Sequence, residues 1–193
     1  IDPAIARANG FFGYFVDKGS IPYGEHETWP GGHSSNGKDC LAAMLFTLQG
    51  NQPTQTEYWT RNSVSCYNGR ETGHTGCGFS YLWSGLAANI GGTNALASHL
   101  AQVRWHLDLS RRCDGSFVYD GAEQYGGSSV GDYWDSPSYN GLDPTACYVL
   151  LFSVPSARLY ITGRNPNPTN ILSAAVVSNA IWAATYSMSN AVY

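Results

Sequence analysis

The chain has 193 residues and a mass of 20.9 kDa, the size of one ordinary domain. Charged residues make up 12% against 43% hydrophobic, which excludes a disordered chain, and the formal charge of -4 leaves no basic footprint for nucleic acid. The longest apolar runs, such as Tyr148 to Val154, fall far short of the ~20 residues of a membrane span, so a soluble protein is expected.

Asp2 as N-cap and Pro3 after it announce a first helix, with Ile5, Ala8, Phe12, Phe15 and Val16 at helical spacing and an end near Gly19. Leu41, Met44, Leu45 and Leu48 mark a second helix, stopped by Gly50 and Pro53. Thr54 and Glu57 form a capping-box pattern for a third, running to about Cys66. Phe79, Leu82, Trp83, Leu86 and Ile90 carry a fourth, ended by Gly91-Gly92, and Thr93 caps a fifth striped by Leu96, Leu100, Val103 and Leu107. Asp143-Pro144 opens a sixth helix over Thr145 to about Val154, and Thr169 or Asn170 begins a seventh with Val176 and Val177.

The connections after helices one, three and five are long and glycine-rich, whereas those after two and four are tight. Short connections join antiparallel neighbours, so up-down packing would send all the long loops to one end. Helices two, four and six lack charge over their apolar spans and are expected to form an inner layer. The charged odd helices would lie outside. The expected fold is therefore all-α: antiparallel hairpins forming an α/α toroid or partial toroid of about seven helices. Residues 1–193 make one such domain, expected to be a portion of a larger chain because no initiator Met or signal peptide is visible.

Gln102 to Phe117, ending Arg112-Cys113-Asp114-Gly115-Ser116-Phe117, resembles the repeat of terpenoid cyclase and prenyltransferase toroids. Gly32-His33-Ser34-Ser35-Asn36-Gly37-Lys38 and Gly73-His74-Thr75-Gly76, each before an inner helix, resemble a domain of unknown function in secreted bacterial proteins of that superfamily. The resemblance implies a toroid in an extracellular or periplasmic protein. Cyclase chemistry does not follow, since the aspartate-rich acid motif is absent.

The inner-helix N-termini at the long-loop end present unpaired N–H groups and partial positive charge, which favours an anion. The loops around them supply aromatic, hydroxyl and imidazole groups suited to sugar rings. An acidic polysaccharide is the expected partner, with cleavage by β-elimination or hydrolysis. His33 or His74 would serve as base and Tyr119 or Tyr81 as acid, with Asn36 and Lys38 or Arg70 neutralising the carboxylate. Glu25, Trp29, Asp114 and Trp134 complete the binding set, and no cofactor is expected.

Three alternatives stand beside this. Gly-His-Ser/Thr sequences at helix starts can simply cap. Cys40, Cys77 and Cys147, near His33, His74 and Asp143, would suit zinc, although the spacings match no zinc motif of the toroid families. Apolar inner-helix surface left bare by an open toroid could drive self-association in a structural protein. The five cysteines form no CxxC pair and leave at least one thiol unpaired within the chain. His99 and His106 on the fifth helix are expected at the surface, and Trp59, Trp83 and Trp105 in the core.

Overall fold

A computed structural model describes residues 2–21, 38–65, 76–117, 144–156 and 172–179, without the side chains of 76–80. Six α-helices occupy these residues: α1 (Asp2–Tyr14), α2 (Lys38–Gln49), α3 (Pro53–Ser65), α4 (Gly76–Ile90), α5 (Thr93–Ser110) and α6 (Thr145–Ser153). α6 tightens into a 3-10 turn over Val154–Ser156, and a seventh helical stretch covers 174–179. No strand occurs among the described residues beyond the isolated bridge between Arg111 and Phe117.

Several boundaries differ from expectation for local reasons. α1 ends at Tyr14 and unwinds through short-range turns such as Phe15 N–H to Phe12 C=O, with Asp17 at φ 62°. α3 begins at Pro53, whose fixed φ suits the first helical position, and Gln52 C=O accepts from Thr56 N–H. Thr54 is therefore inside the helix rather than its cap. Gly92, at φ 97°, is the N-cap of α5 in place of Thr93. The last stretch starts later than Thr169 or Asn170, because Ser173 Oγ accepts from Val176 N–H and caps it.

Contacts between side chains fix the helix directions. Asn62 Nδ2 donates to Asp39 Oδ2 at 2.7 Å near one end of the α2–α3 pair, and Gln52 Nε2 reaches Gln49 Oε1 at the other, so these helices are antiparallel. A β-carbon at Gly91 would meet the Thr60 methyl at 3.0 Å, while Val64 shares a core cluster with Ala88, so α3 and α4 also run oppositely. Tyr81 stacks on His106 and Ser84 meets His99, which makes α4 and α5 antiparallel. Tyr81 faces Tyr148, and Gly85 abuts Leu151, so α4 and α6 are parallel. It follows that α2, α4 and α6 point the same way.

α4 is the central helix, touching α2, α3, α5 and α6. Phe46, Trp59 and Ala87 lie in a core between α2, α3 and α4, joined by Phe15 from the segment after α1. A second core joins Tyr81, Val103, Leu107, Phe117, Tyr148 and Leu151. A third holds Leu172 and Val177 against Val64 and Leu96, where Leu172 N–H also bonds Gly91 C=O. Trp59 is fully buried and Trp83 packs on the first core, as expected.

The assignment of layers needs correction. α3, expected outside, buries Thr56, Tyr58, Trp59, Thr60 and every residue from Asn62 to Ser65. Thr56 Oγ1 bonds Gln52 C=O and Ser63 Oγ bonds Trp59 C=O within the helix, while Tyr58 and Asn62 bond Gly19 and Asp39 outside it. Glu57 and Arg61 fall one turn apart on a single strip, which leaves the rest of the circumference free to be buried. α6, expected to be buried all round, leaves Val149, Leu150 and Phe152 exposed. Trp105 is likewise 48% exposed rather than core. His99 and His106, expected at the surface, are buried.

Candidate functional site

The pole toward which the α2, α4 and α6 N-termini point is built from the residues that lock each helix start. At α2, the fully buried Asp39 accepts from Ile21 N–H through Oδ1 at 2.9 Å and from Asn62 through Oδ2. It thereby ties together the segment after α1, the first turn of α2 and the last turn of α3. Tyr58 reinforces that junction: its hydroxyl accepts from Gly19 N–H and donates to Gly19 C=O, both at 3.0 Å. Lys38 begins α2 with its Nζ shielded from solvent. Burial pushes its pKa down, against an opposing pull from the Asp39 charge.

At the start of α6, Thr145 Oγ1 accepts from Phe117 N–H at 2.8 Å and reaches back to Phe117 C=O at 3.5 Å. Arg112 N–H bonds Ser116 C=O at 2.7 Å and Gly115, at φ 88°, donates to Arg112 C=O, closing a tight reversal after α5. Asp114 Oδ1 accepts from both the backbone and the hydroxyl of Ser116. Those bonds hold its carboxyl below the usual carboxylate range. The Asp-Gly-Ser-Phe motif is thus a turn that docks Phe117 onto Tyr148, with ring centroids 5.3 Å apart.

Beneath this turn lies an aromatic and imidazole cluster. The His106 ring stacks on Tyr81 at 4.7 Å, and His106 Nε2 lies 3.1 Å from Tyr148 Oη. One helical turn or two away, Ser84 Oγ sits 3.3 Å from His99 Nε2. The sequence carried a signal for both histidines: Leu96, His99, Val103, His106 and Ser110 recur at three- and four-residue steps, so they share the buried stripe. Tyr81 is 1% exposed and belongs to this core, which withdraws it from any direct part in acid catalysis.

Of the candidate site residues, Lys38 and Asp114 are described, the first half-buried and the second exposed. Glu25, Trp29, His33, Asn36, Arg70, His74, Tyr119 and Trp134 lie outside the described residues. Cys113 and Cys147 are free thiols, Cys40 is buried, and burial pushes the Cys147 pKa up. Among the described side chains no three His, Cys, Asp or Glu are grouped to hold a metal, and the side chains of Cys77, His33, His74 and Asp143 are not among them. None of the described helices is long and apolar enough to cross a membrane.

No curated protein and no solved structure matches the chain. Residues 1–163 match a family described as a domain of unknown function, DUF6288. That match takes in all six helices from α1 to α6, and the chain belongs to the DUF6288 family.

Proposed function

We propose that this chain is an extracellular or periplasmic carbohydrate-active domain, an open α/α toroid and a portion of a larger protein, that binds an acidic polysaccharide at the pole of the α2, α4 and α6 N-termini and cleaves it. The observation that carries this is the common direction of those three helices, which brings three sets of unpaired backbone N–H groups to one pole, beside the C-terminal ends of α3 and α5. α4 also contacts both α2 and α6. Lys38, shielded below the surface, contributes positive field from beneath, while Asn36 and Arg70 would meet the uronate carboxylate directly. Trp29 and Trp134 offer aromatic faces, and Glu25 and Asp114 offer acceptors for sugar hydroxyls.

In β-elimination, His33 or His74 takes the C5 proton, a double bond forms between C4 and C5, and the C4–O bond breaks as Tyr119 protonates the departing oxygen. The test is incubation with a panel of uronate polymers. Rising ultraviolet absorbance from unsaturated ends supports elimination, new reducing ends without that absorbance mean hydrolysis, and no cleavage or binding of any polymer refutes the proposal.

A second reading, a non-catalytic self-assembling protein, is favoured by exposed apolar side chains on α1 (Ile5, Phe11, Tyr14) and on α6 (Val149, Leu150, Phe152). A monomer at all concentrations in sedimentation would remove it. Zinc held by Cys40, Cys77 or Cys147 with neighbouring histidines is a third, ended by elemental analysis showing no stoichiometric metal.

A further inference from the structure

The C-terminal half of α5 carries a surface that the pole residues do not include. Trp105 is 48% exposed and Leu109, one turn on, is 75% exposed. An indole left half uncovered beside a bare leucine is unusual on a surface with a partner-free role. Around this ridge stand Arg104, Arg111 and Arg112, all exposed. They are three of the ten basic residues of the chain, gathered within nine positions of a protein whose net charge is -4. Over 104–114 the three arginines face two carboxyls, Asp108 and Asp114, which leaves a local excess of +1. Arg104 Nε bonds Asp108 at 3.2 Å, and Asp114 is turned into its own loop by Ser116. Arg112 also acts on the Asp114 charge, which leaves Arg111 as the arm least engaged with these two carboxyls.

α5 runs antiparallel to α4, so this half of the helix lies toward the same pole as the α2, α4 and α6 N-termini. Arg104 and Arg111 are seven residues apart, about 10 Å along the axis. We propose that Trp105, Arg104, Arg111 and Arg112 form an outer subsite that carries the continuation of the same acidic polysaccharide beyond the pole. The indole supplies an apolar platform for a sugar ring, and the planar guanidinium forks take uronate carboxylates in paired hydrogen bonds. This rests on the polysaccharide reading above for its ligand class, but on described residues alone for its place. Cations near a helix C-terminus also favour the helix itself, so stability must be measured beside binding.

The experiment compares Trp105→Ala and Arg111→Gln/Arg112→Gln with the wild type for binding of long polygalacturonate and of a short galacturonate oligomer, by calorimetry at two salt concentrations. Circular dichroism and melting temperature verify that these exposed substitutions leave the fold intact. Each variant is expected to lose about tenfold in affinity for the long polymer, with a shallower salt dependence for the arginine pair, and to keep its affinity for the short oligomer. Equal long-polymer affinity in wild type and variants overturns the subsite and leaves the pole standing. Loss of all binding in these variants, with none lost in Asn36→Ala/Arg70→Ala, makes the α5 face the main site and overturns the pole instead. A wild type that binds no uronate polymer refutes both.

Discussion

Asp39→Ala tests the junction that fixes the start of α2. The side chain is fully buried and its two oxygens separately accept from Ile21 N–H at 2.9 Å and Asn62 Nδ2 at 2.7 Å. Truncation strands both buried donors, each costing about 1–3 kcal/mol, so a total near 3–5 kcal/mol is expected. For a domain of this size that lowers the melting temperature by roughly 6–20 °C, at about 2–4 °C per kcal/mol. Asp39→Asn should cost far less, about 1 kcal/mol, because Oδ1 still accepts from Ile21 and a turned Asn62 amide can accept from the new Nδ2. Adding Asn62→Ala to Asp39→Ala removes one stranded donor, so the double variant should be more stable than the sum of the two single losses. Urea unfolding followed by the fluorescence of buried Trp59 measures the wild type, both Asp39 variants, Asn62→Ala and the double variant. An Asp39→Ala protein within about 1 kcal/mol of wild type, or an Asn variant as unstable as the Ala variant, would refute the clamp.

Gly91→Ala places a β-carbon 2.9 Å from that of Ala95 and 3.0 Å from the Thr60 methyl, so thermal melts should show a loss of about 1–3 kcal/mol where α3 meets the α4–α5 turn. Tyr148→Phe removes the hydroxyl 3.1 Å from His106 Nε2 and should cost about 1 kcal/mol in urea unfolding with the helical circular dichroism unchanged. Alkylation followed by mass spectrometry should modify exposed Cys113 well before Cys147. The raised Cys147 pKa keeps its neutral form in the fold, so its rate should climb only at higher pH. For the same reason its contribution to stability is complete below the unfolded thiol pKa and is lost as pH rises through the folded one, visible as a melting temperature falling in alkali.

The order of helices was legible because apolar spacing and glycine or proline stops are local signals: α2, α4 and α5 fall where Leu41 to Leu48, Phe79 to Ile90 and Leu96 to Leu107 place them. Loop lengths also foretold the alternating directions, since a connection of two or three residues can only return the chain beside itself. Caps were read less well. Thr54 and Thr93 have the right side chains, but a preceding Gln-Pro and a glycine at φ 97° took the boundary positions.

Burial was decided by the tertiary structure. Charge content marks the residues that must reach water, yet says little about neutral polar ones. The Thr56 and Ser63 hydroxyls of α3 turn back to their own backbone, and His99 and His106 find Ser84 and Tyr148 on other helices, so all of these enter the core. Conversely, nothing local told that Val149, Leu150 and Phe152 would face outward, because the packed side of α6, with Tyr148 and Leu151, meets α4, α5 and Phe117, and an apolar helix is covered only where a neighbour stands. Sequence by itself determined where most of the helices fall and that α2 with α3, and α4 with α5, run antiparallel. Which side of each helix is inside depends on partners distant in the chain, and only packing assigns them.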